Sequence, residues 1–154
     1  MKQACVLLAA LLFARFASAE LLAFGPDSLR EIERRHAGSP FAVVIWSIDC
    51  APCRDDLALL RRFTAAHPDA NVVLISADDV RNAPAIAAVL AGYGLSGVES
   101  WVFADPNHER LQYAIDPQWF GEMPRAYLYS RANERKGISG TLSSEELERW
   151  LMQH

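Results

Sequence analysis

Cys50 and Cys53 stand three residues apart in the run Cys50-Ala51-Pro52-Cys53, at the point where an apolar stretch, residues 41–46, gives way to the helix-prone residues 54–66. In a helix that starts here, residues three apart share a face, which brings the two sulfurs within bridging distance. The unpaired N–H groups and the positive dipole end of that helix favour a thiolate on Cys50. Pro52 suits the first turn, where its missing N–H costs no helical hydrogen bond. Such a pair supports reversible disulfide exchange.

The elements that must position the pair follow from periodicity and punctuation. Residues 41–47 read as a buried strand entering the motif, and Leu57, Leu60 and Phe63 recur at helical spacing until Pro68 ends the helix. Residues 71–76, rich in Val, Leu and Ile, read as a second buried strand whose continuous apolar character suits a parallel sheet covered on both faces. Residues 20–26 form a lead-in, followed by a short amphipathic helix with Leu29 and Ile32 that ends near Gly38. A helix over 84–92, a strand over 99–104 stopped by Asp105-Pro106-Asn107, and a helical turn over 111–115 come next. Pro124 then opens a strand over 125–130. Residues 135–140 pair with it as a hairpin, and Ser143 with Glu146 forms a capping box that starts the last helix. This order gives an α/β sandwich, a mixed central sheet with helices on both faces.

The chain has 154 residues, a formal net charge of -4 and three cysteines. Its N-terminus shows a charged Lys2, an apolar run over 4–13 and the small residues Ala17-Ser18-Ala19, the pattern of a secretory signal peptide cut after Ala19. Arg15 and Phe16 leave an uncleaved membrane anchor as the alternative, although the run is short of the roughly 20 residues that span a bilayer. Cleavage discards Cys5, leaves residues 20–154 as one domain, and brings the net charge to about -6. Cys50 and Cys53 are then the only cysteines, and they close too small a loop to be a structural staple. No basic cluster points to a nucleic-acid partner. His36, His67 and His108 are scattered over helix ends and turns, with His154 terminal, and read as surface residues.

These residues resemble the thioredoxin-like fold and, within it, the secreted thiol-disulfide oxidoreductases of the TlpA/ResA type. The resemblance rests on Trp46 four residues before Cys50, the run Cys50-Ala51-Pro52-Cys53-Arg54, the inserted segment from Tyr93-Gly94-Leu95 to Asp105, and Met123-Pro124 leading into Tyr127-Leu128-Tyr129. It implies an inserted helix and strand before a cis-proline hairpin, with Pro124 cis and stacked against the cysteine pair. It also implies that the backbone before Pro124 pairs with a bound target chain, so that Trp46, Met123 and Pro124 serve target binding. The catalytic residues it implies are Cys50 and Cys53. The implied setting is the periplasm, with cysteine-containing target proteins, a membrane electron donor that re-reduces the pair, and no cofactor or metal beyond the redox disulfide.

The chain departs from that pattern at several positions. Asp49 replaces the aromatic residue usual before the first cysteine, and a carboxylate there opposes thiolate formation unless it caps the helix or faces water. Val44 stands where thioredoxins carry a buried acid, and Ala58 replaces a proline that bends the helix. Asp56 matches a glutamate three residues past the second cysteine and offers a proton relay to Cys53, or only a favourable acid in the first helical turn. Arg125 follows Pro124 and could bring a cation near the pair, offsetting Asp49. Trp101, Trp119 and Phe120 read as packing residues, with Trp119 and Phe120 an alternative apolar docking rim before Pro124.

The expected function is therefore reduction of disulfides in exported targets, which the resemblance places among apocytochrome c and copper-site proteins in cytochrome c maturation. Three other readings remain at this level. The protein could act as a disulfide-donating oxidant, as a copper(I)-binding chaperone using the two cysteines with Met123, or as a redox-inactive binding relative.

Overall fold

The computed structural model describes residues 21–153; the expected signal peptide, its cleavage point, Cys5 and His154 fall outside them. A six-stranded sheet of order β1-β4-β3-β2-β5-β6 is built from β1 (Leu21–Phe24), β2 (Phe41–Trp46), β3 (Asn71–Asp79), β4 (Glu99–Phe103), β5 (Arg125–Tyr129) and β6 (Arg135–Ser139). The helices are α1 (Ser28–Arg35), α2 (Cys53–Ala66), α3 (Ala83–Gly92), α4 (His108–Ile115) and α5 (Ser144–Gln153), with a 3-10 turn at Val80–Asn82. Strands β1 to β4 pair in parallel, whereas β5 runs antiparallel to β2 and to β6, which makes the sheet mixed. Among the described residues no helix is long and apolar enough to cross a membrane.

Connection handedness distributes the helices. The steps β2 to β3 and β3 to β4 advance in one direction across the sheet, so right-handed crossovers put α2 and α3 on the same face. The step β1 to β2 runs the other way and puts α1 on the opposite face. Two cores result. In one, Ala42, Val44, Trp46, Val72 and Leu74 of the sheet meet Leu57, Leu60 and Phe63 of α2, Ile86 and Leu90 of α3, and Leu147 and Trp150 of α5. In the other, Phe41, Val43, Ile45, Val73, Ile75, Tyr127 and Tyr129 meet Leu29 and Ile32 of α1 and Leu111 and Ile115 of α4. Alternate residues of one strand thus feed different cores, and an unbroken apolar run is the pattern a strand covered on both sides requires.

The local signals behave as their chemistry dictates. Ser143 Oγ accepts the Glu146 N–H while Glu146 Oε2 accepts the Ser143 N–H, a reciprocal cap at the start of α5. The hairpin between β5 and β6 closes through Ser130 N–H to the Glu134 carbonyl, with Asn133 at φ 62°, a left-handed position asparagine tolerates. Three elements differ from the sequence reading. The lead-in contains β1, which pairs with β4 from Leu21↔Ser100 to Phe24↔Phe103; its four residues show no period, and its partner lies almost eighty positions away. Helix α4 begins at His108, not at 111, because Asn107 Oδ1 accepts the Arg110 N–H and caps it. Strand β3 runs on to Asp79 through an irregularity between Ser76 and Asp79.

Phe24 fastens β1. It is fully buried, stacked on Phe103 at 5.6 Å and edge-on to Trp101 at 6.2 Å. Phe24→Ala should lower unfolding free energy by about 3–5 kcal/mol through lost burial and the cavity left behind, measured by urea denaturation. A loss below about 1 kcal/mol would show that β1 lies outside the cooperative core.

Candidate active site

Strand β2, buried at all six positions, delivers the chain to one end of the sheet. The next residues turn sharply: the Cys50 N–H bonds the Ser47 carbonyl at 3.2 Å, and the Asp49 N–H bonds Ser47 Oγ at 3.3 Å. The Ile48 N–H donates to Asp78 Oδ2 at 3.0 Å, and Ser76 Oγ holds the same oxygen at 2.6 Å, so the end of β3 braces the loop. Cys50 and Cys53 form a disulfide with Cα atoms 5.3 Å apart. Cys53 opens α2 and is fully buried, whereas Cys50 is partly exposed and Ala51 and Pro52 are exposed. Only Cys50 can meet an external sulfur. Its Sγ accepts the Cys53 N–H at 3.3 Å, a donor at the helix start aimed at the atom where negative charge develops on reduction.

The second component comes from the neighbouring strand. Because β5 runs antiparallel to β2 with Arg125 opposite Ile45, the start of β5 lies at the sheet end where β2 finishes. The Met123–Pro124 peptide bond there is cis. Pro124 is buried, and Met123 is partly buried against both cores, the first of which also packs Cys50. The preceding loop is tightly bonded. Trp119 Nε1 donates to the Glu122 carbonyl at 2.8 Å, the Phe120 N–H donates to Glu122 Oε2 at 3.2 Å, and Gly121 adopts φ 88°, where a side chain would be strained. Trp119 is only 4% exposed and belongs to the core, while Phe120 is 92% exposed. The suggested apolar rim thus reduces to Phe120.

Asp56 is the buried acid of the site. It lies one turn past Cys53 on α2, is 1% exposed, and accepts the Leu142 N–H on Oδ1 at 2.8 Å. Its Oδ2 is buried without a hydrogen-bond partner. Burial, reinforced by the charges of Asp55 and Glu146 and only partly opposed by the Leu142 N–H, pushes its pKa from 3.8 up to about 6. A carboxylate with one open oxygen and a pKa near neutrality can take and return a proton.

Two positions, Trp46 and Arg125, are placed differently from what their sequence context suggests, while Asp49 faces water, one of its two alternatives. Trp46 is 1% exposed and packs in the core that also holds Cys53, so its side chain has no access to a target chain. Arg125 does not bring its charge to the pair. Strand alternation sends it to the Tyr127 side, opposite the core that holds Cys53, where its guanidinium lies 4.8 Å from the Tyr127 ring and is bound to Asp116 and Glu122. Asp49 is exposed and leaves α2 without a side-chain cap, so it faces water. His36 and His67 are partly buried and paired with Glu99 and Glu148.

Solved structures share this architecture. A secreted Mycobacterium tuberculosis disulfide oxidoreductase, described as homologous to E. coli DsbE, superposes with a TM-score of 0.64 at 18% identity, covering 79% of this chain and 86% of that one. StoA from Bacillus subtilis gives 0.55 at 19% identity, covering 74% and 83%. A thiol:disulfide interchange protein of the thioredoxin family from Chlorobium tepidum gives 0.59 at 16% identity, covering 79% and 83%. The fold is thioredoxin-like. No family model and no curated protein matches the sequence.

Val44, at the strand position, is fully buried and apolar, and Asp56 supplies a carboxylate from α2. Helix α2 is continuous from Cys53 to Ala66, with Ala58 in place of a proline. Two contributors escaped the sequence reading. Asp78 carries no pattern that distinguishes it from a turn residue, and Leu142 acts through its backbone, to which side-chain patterns are blind.

The raised pKa of Asp56 has a definite sign. Between about pH 4 and pH 6 the unfolded chain has lost the Asp56 proton while the folded chain still holds it. Stability from this group is therefore full below about pH 4 and falls as pH rises to about 6. Comparing Asp56→Asn with the parent by urea denaturation, the variant should gain on the order of 2–3 kcal/mol in relative stability between pH 4 and pH 7. An unchanged difference across that range would show that Asp56 titrates normally.

Proposed function

We propose that this protein is an exported thiol-disulfide oxidoreductase that reduces disulfides in target proteins. The observation that carries the reading is the asymmetric pair, with Cys50 accessible and held by the Cys53 N–H, and Cys53 buried one turn from the half-satisfied carboxylate of Asp56. In the reduced protein the Cys50 thiolate attacks one sulfur of a target disulfide, and the other target sulfur leaves as a thiolate and takes a proton. Asp56 accepts the proton of the Cys53 thiol. The Cys53 thiolate then attacks Cys50 Sγ, breaks the mixed disulfide and releases the second target sulfur. The target gains two electrons, and the pair ends as the Cys50–Cys53 disulfide present here.

The target chain docks beside Pro124, with the Met123 backbone as its pairing edge and Phe120 as an exposed apolar contact. The secretory-type N-terminal sequence supports a periplasmic setting, in which a membrane-bound dithiol donor returns the two electrons. Apoproteins that need free cysteines before metallation, such as apocytochrome c or copper-site proteins, are targets of the right chemistry. Asp56, when ionised, disfavours a thiolate from the interior, and Asp49 does so only weakly through water; both effects favour a reductant over a disulfide donor.

Equilibration of the exported protein against defined thiol buffers tests the direction. A potential near or below about -250 mV is expected, and one near about -120 mV would make the protein an oxidant. Cys53→Ser purified from its native compartment should carry targets covalently on Cys50, released by reductant. Recovery of only free monomer would count against the mechanism.

A further inference from the structure

We infer that Arg125 is a positioning residue which, from the sheet face opposite the disulfide, fastens the loop ending in cis-Pro124 and so sets the surface a target chain meets. The inference rests on the oxidoreductase reading for its purpose and on geometry for its existence. One guanidinium ties three separate segments. Its Nη1 donates to Glu122 Oε1 at 3.3 Å and to Ser139 Oγ on β6, and its Nη2 donates to Asp116 Oδ2 at 3.2 Å beyond the end of α4. Glu122 passes the restraint into the loop. Its Oε2 accepts the Phe120 N–H, its carbonyl accepts Trp119 Nε1, and its Oε1 also accepts the Ser139 hydroxyl at 2.8 Å. The far side of the proline is held as well, since the Gly140 N–H donates to the Pro124 carbonyl at 3.0 Å.

Two further observations mark the arrangement as specific. A Cβ on Gly137 would lie 2.8 Å from Arg125 Nη2, so a side chain there would push the guanidinium out of the position in which it makes these bonds. Arg125 Nε is buried with no partner, a desolvation cost that the bonds made by Nη1 and Nη2 must offset. Burial would raise the carboxyls of Asp116 and Glu122. The hydrogen bonds they accept, together with the charge of Arg125 and, for Asp116, that of Arg135, hold both below the ordinary range, so both are ionised partners at neutral pH.

The test compares Arg125→Gln, Arg125→Lys, Glu122→Gln and Gly137→Ala with the parent in three measurements. These are amide hydrogen exchange over residues 119–123, the potential of the cysteine pair, and steady-state reduction of a synthetic peptide carrying one intramolecular disulfide, with dithiothreitol as electron source. Arg125→Gln and Gly137→Ala should speed exchange in the loop and raise KM for the peptide on the order of tenfold, with kcat and potential unchanged. Lysine should not restore the parent behaviour, because a point charge cannot hold three acceptors at once. Combining Glu122→Gln with Arg125→Gln should add little to either alone. Exchange that stays at the parent rate would overturn the fastening, and a shifted potential would show that Arg125 acts on the sulfurs by charge. If the parent itself fails to reduce the peptide while loop exchange still responds, the oxidoreductase reading falls and the fastening stands.

Discussion

The whole arrangement depends on one buried strand. β2 is covered on both faces and bonded on both edges, to β3 in parallel and to β5 antiparallel, so it can neither slip nor rotate without moving six side chains out of two cores. Its end is therefore a fixed point. The cysteine loop leaves from that point, and the antiparallel partner begins there, which is why two segments some seventy residues apart in sequence, Cys50-Cys53 and Met123-Pro124, share one end of the sheet. Neither segment needs its own scaffold, because each is the continuation of a strand already locked in register.

A consequence is that chemistry is divided between the two faces. The face that packs α2, α3 and α5 holds Cys53 and Asp56, and the Leu142 N–H joins the first turn of α2 to the entry of α5. The opposite face holds Arg125, Asp116, Tyr127 and Arg135, a charged network in which Arg125 and Arg135 both lie over the Tyr127 ring. Alternation along β5 enforces the division, since Ala126 and Leu128 go to one core and Tyr127 and Tyr129 to the other. The cation next in sequence to Pro124 is thereby kept on the face away from the sulfurs, bound to Asp116 and Glu122.

What could be read in the sequence was what period and local chemistry encode. The apolar run of β2, the cysteine spacing, the Ser143–Glu146 cap and the strand opened by Pro124 each act within a few residues, and each is present as read. Missing information was of a different kind. β1 is defined by a partner across the sheet and not by its four residues, and Trp46 and Arg125 had the right positions but the wrong surroundings. For Trp46, its place inside the buried strand outweighs its nearness to Cys50 in sequence. For Arg125 the parity of a single strand position decides which face receives the charge. Trp119 and Phe120 are adjacent aromatics with opposite fates, and only the turn at Gly121 and the Trp119 bond to Glu122 separate them.

The electrostatics of the pair set the Cys53 N–H and the helix start against the acids Asp49 and Asp56. The Cys53 N–H and the start of a fourteen-residue helix stabilise a thiolate on Cys50. Asp49 opposes it through water, where solvent and salt weaken its field, but Asp56 sits in the low-dielectric interior one turn from Cys53. When Asp56 is charged it disfavours a second negative charge on Cys53; when it has taken the Cys53 proton it is neutral and the new thiolate meets no repulsion from it. In the proposed mechanism, proton transfer between these two groups leaves the number of buried charges unchanged at one, and the resolving step avoids placing two anions together in the core. The helix provides that exchange in this mechanism, with which the fully buried, apolar Val44 is consistent.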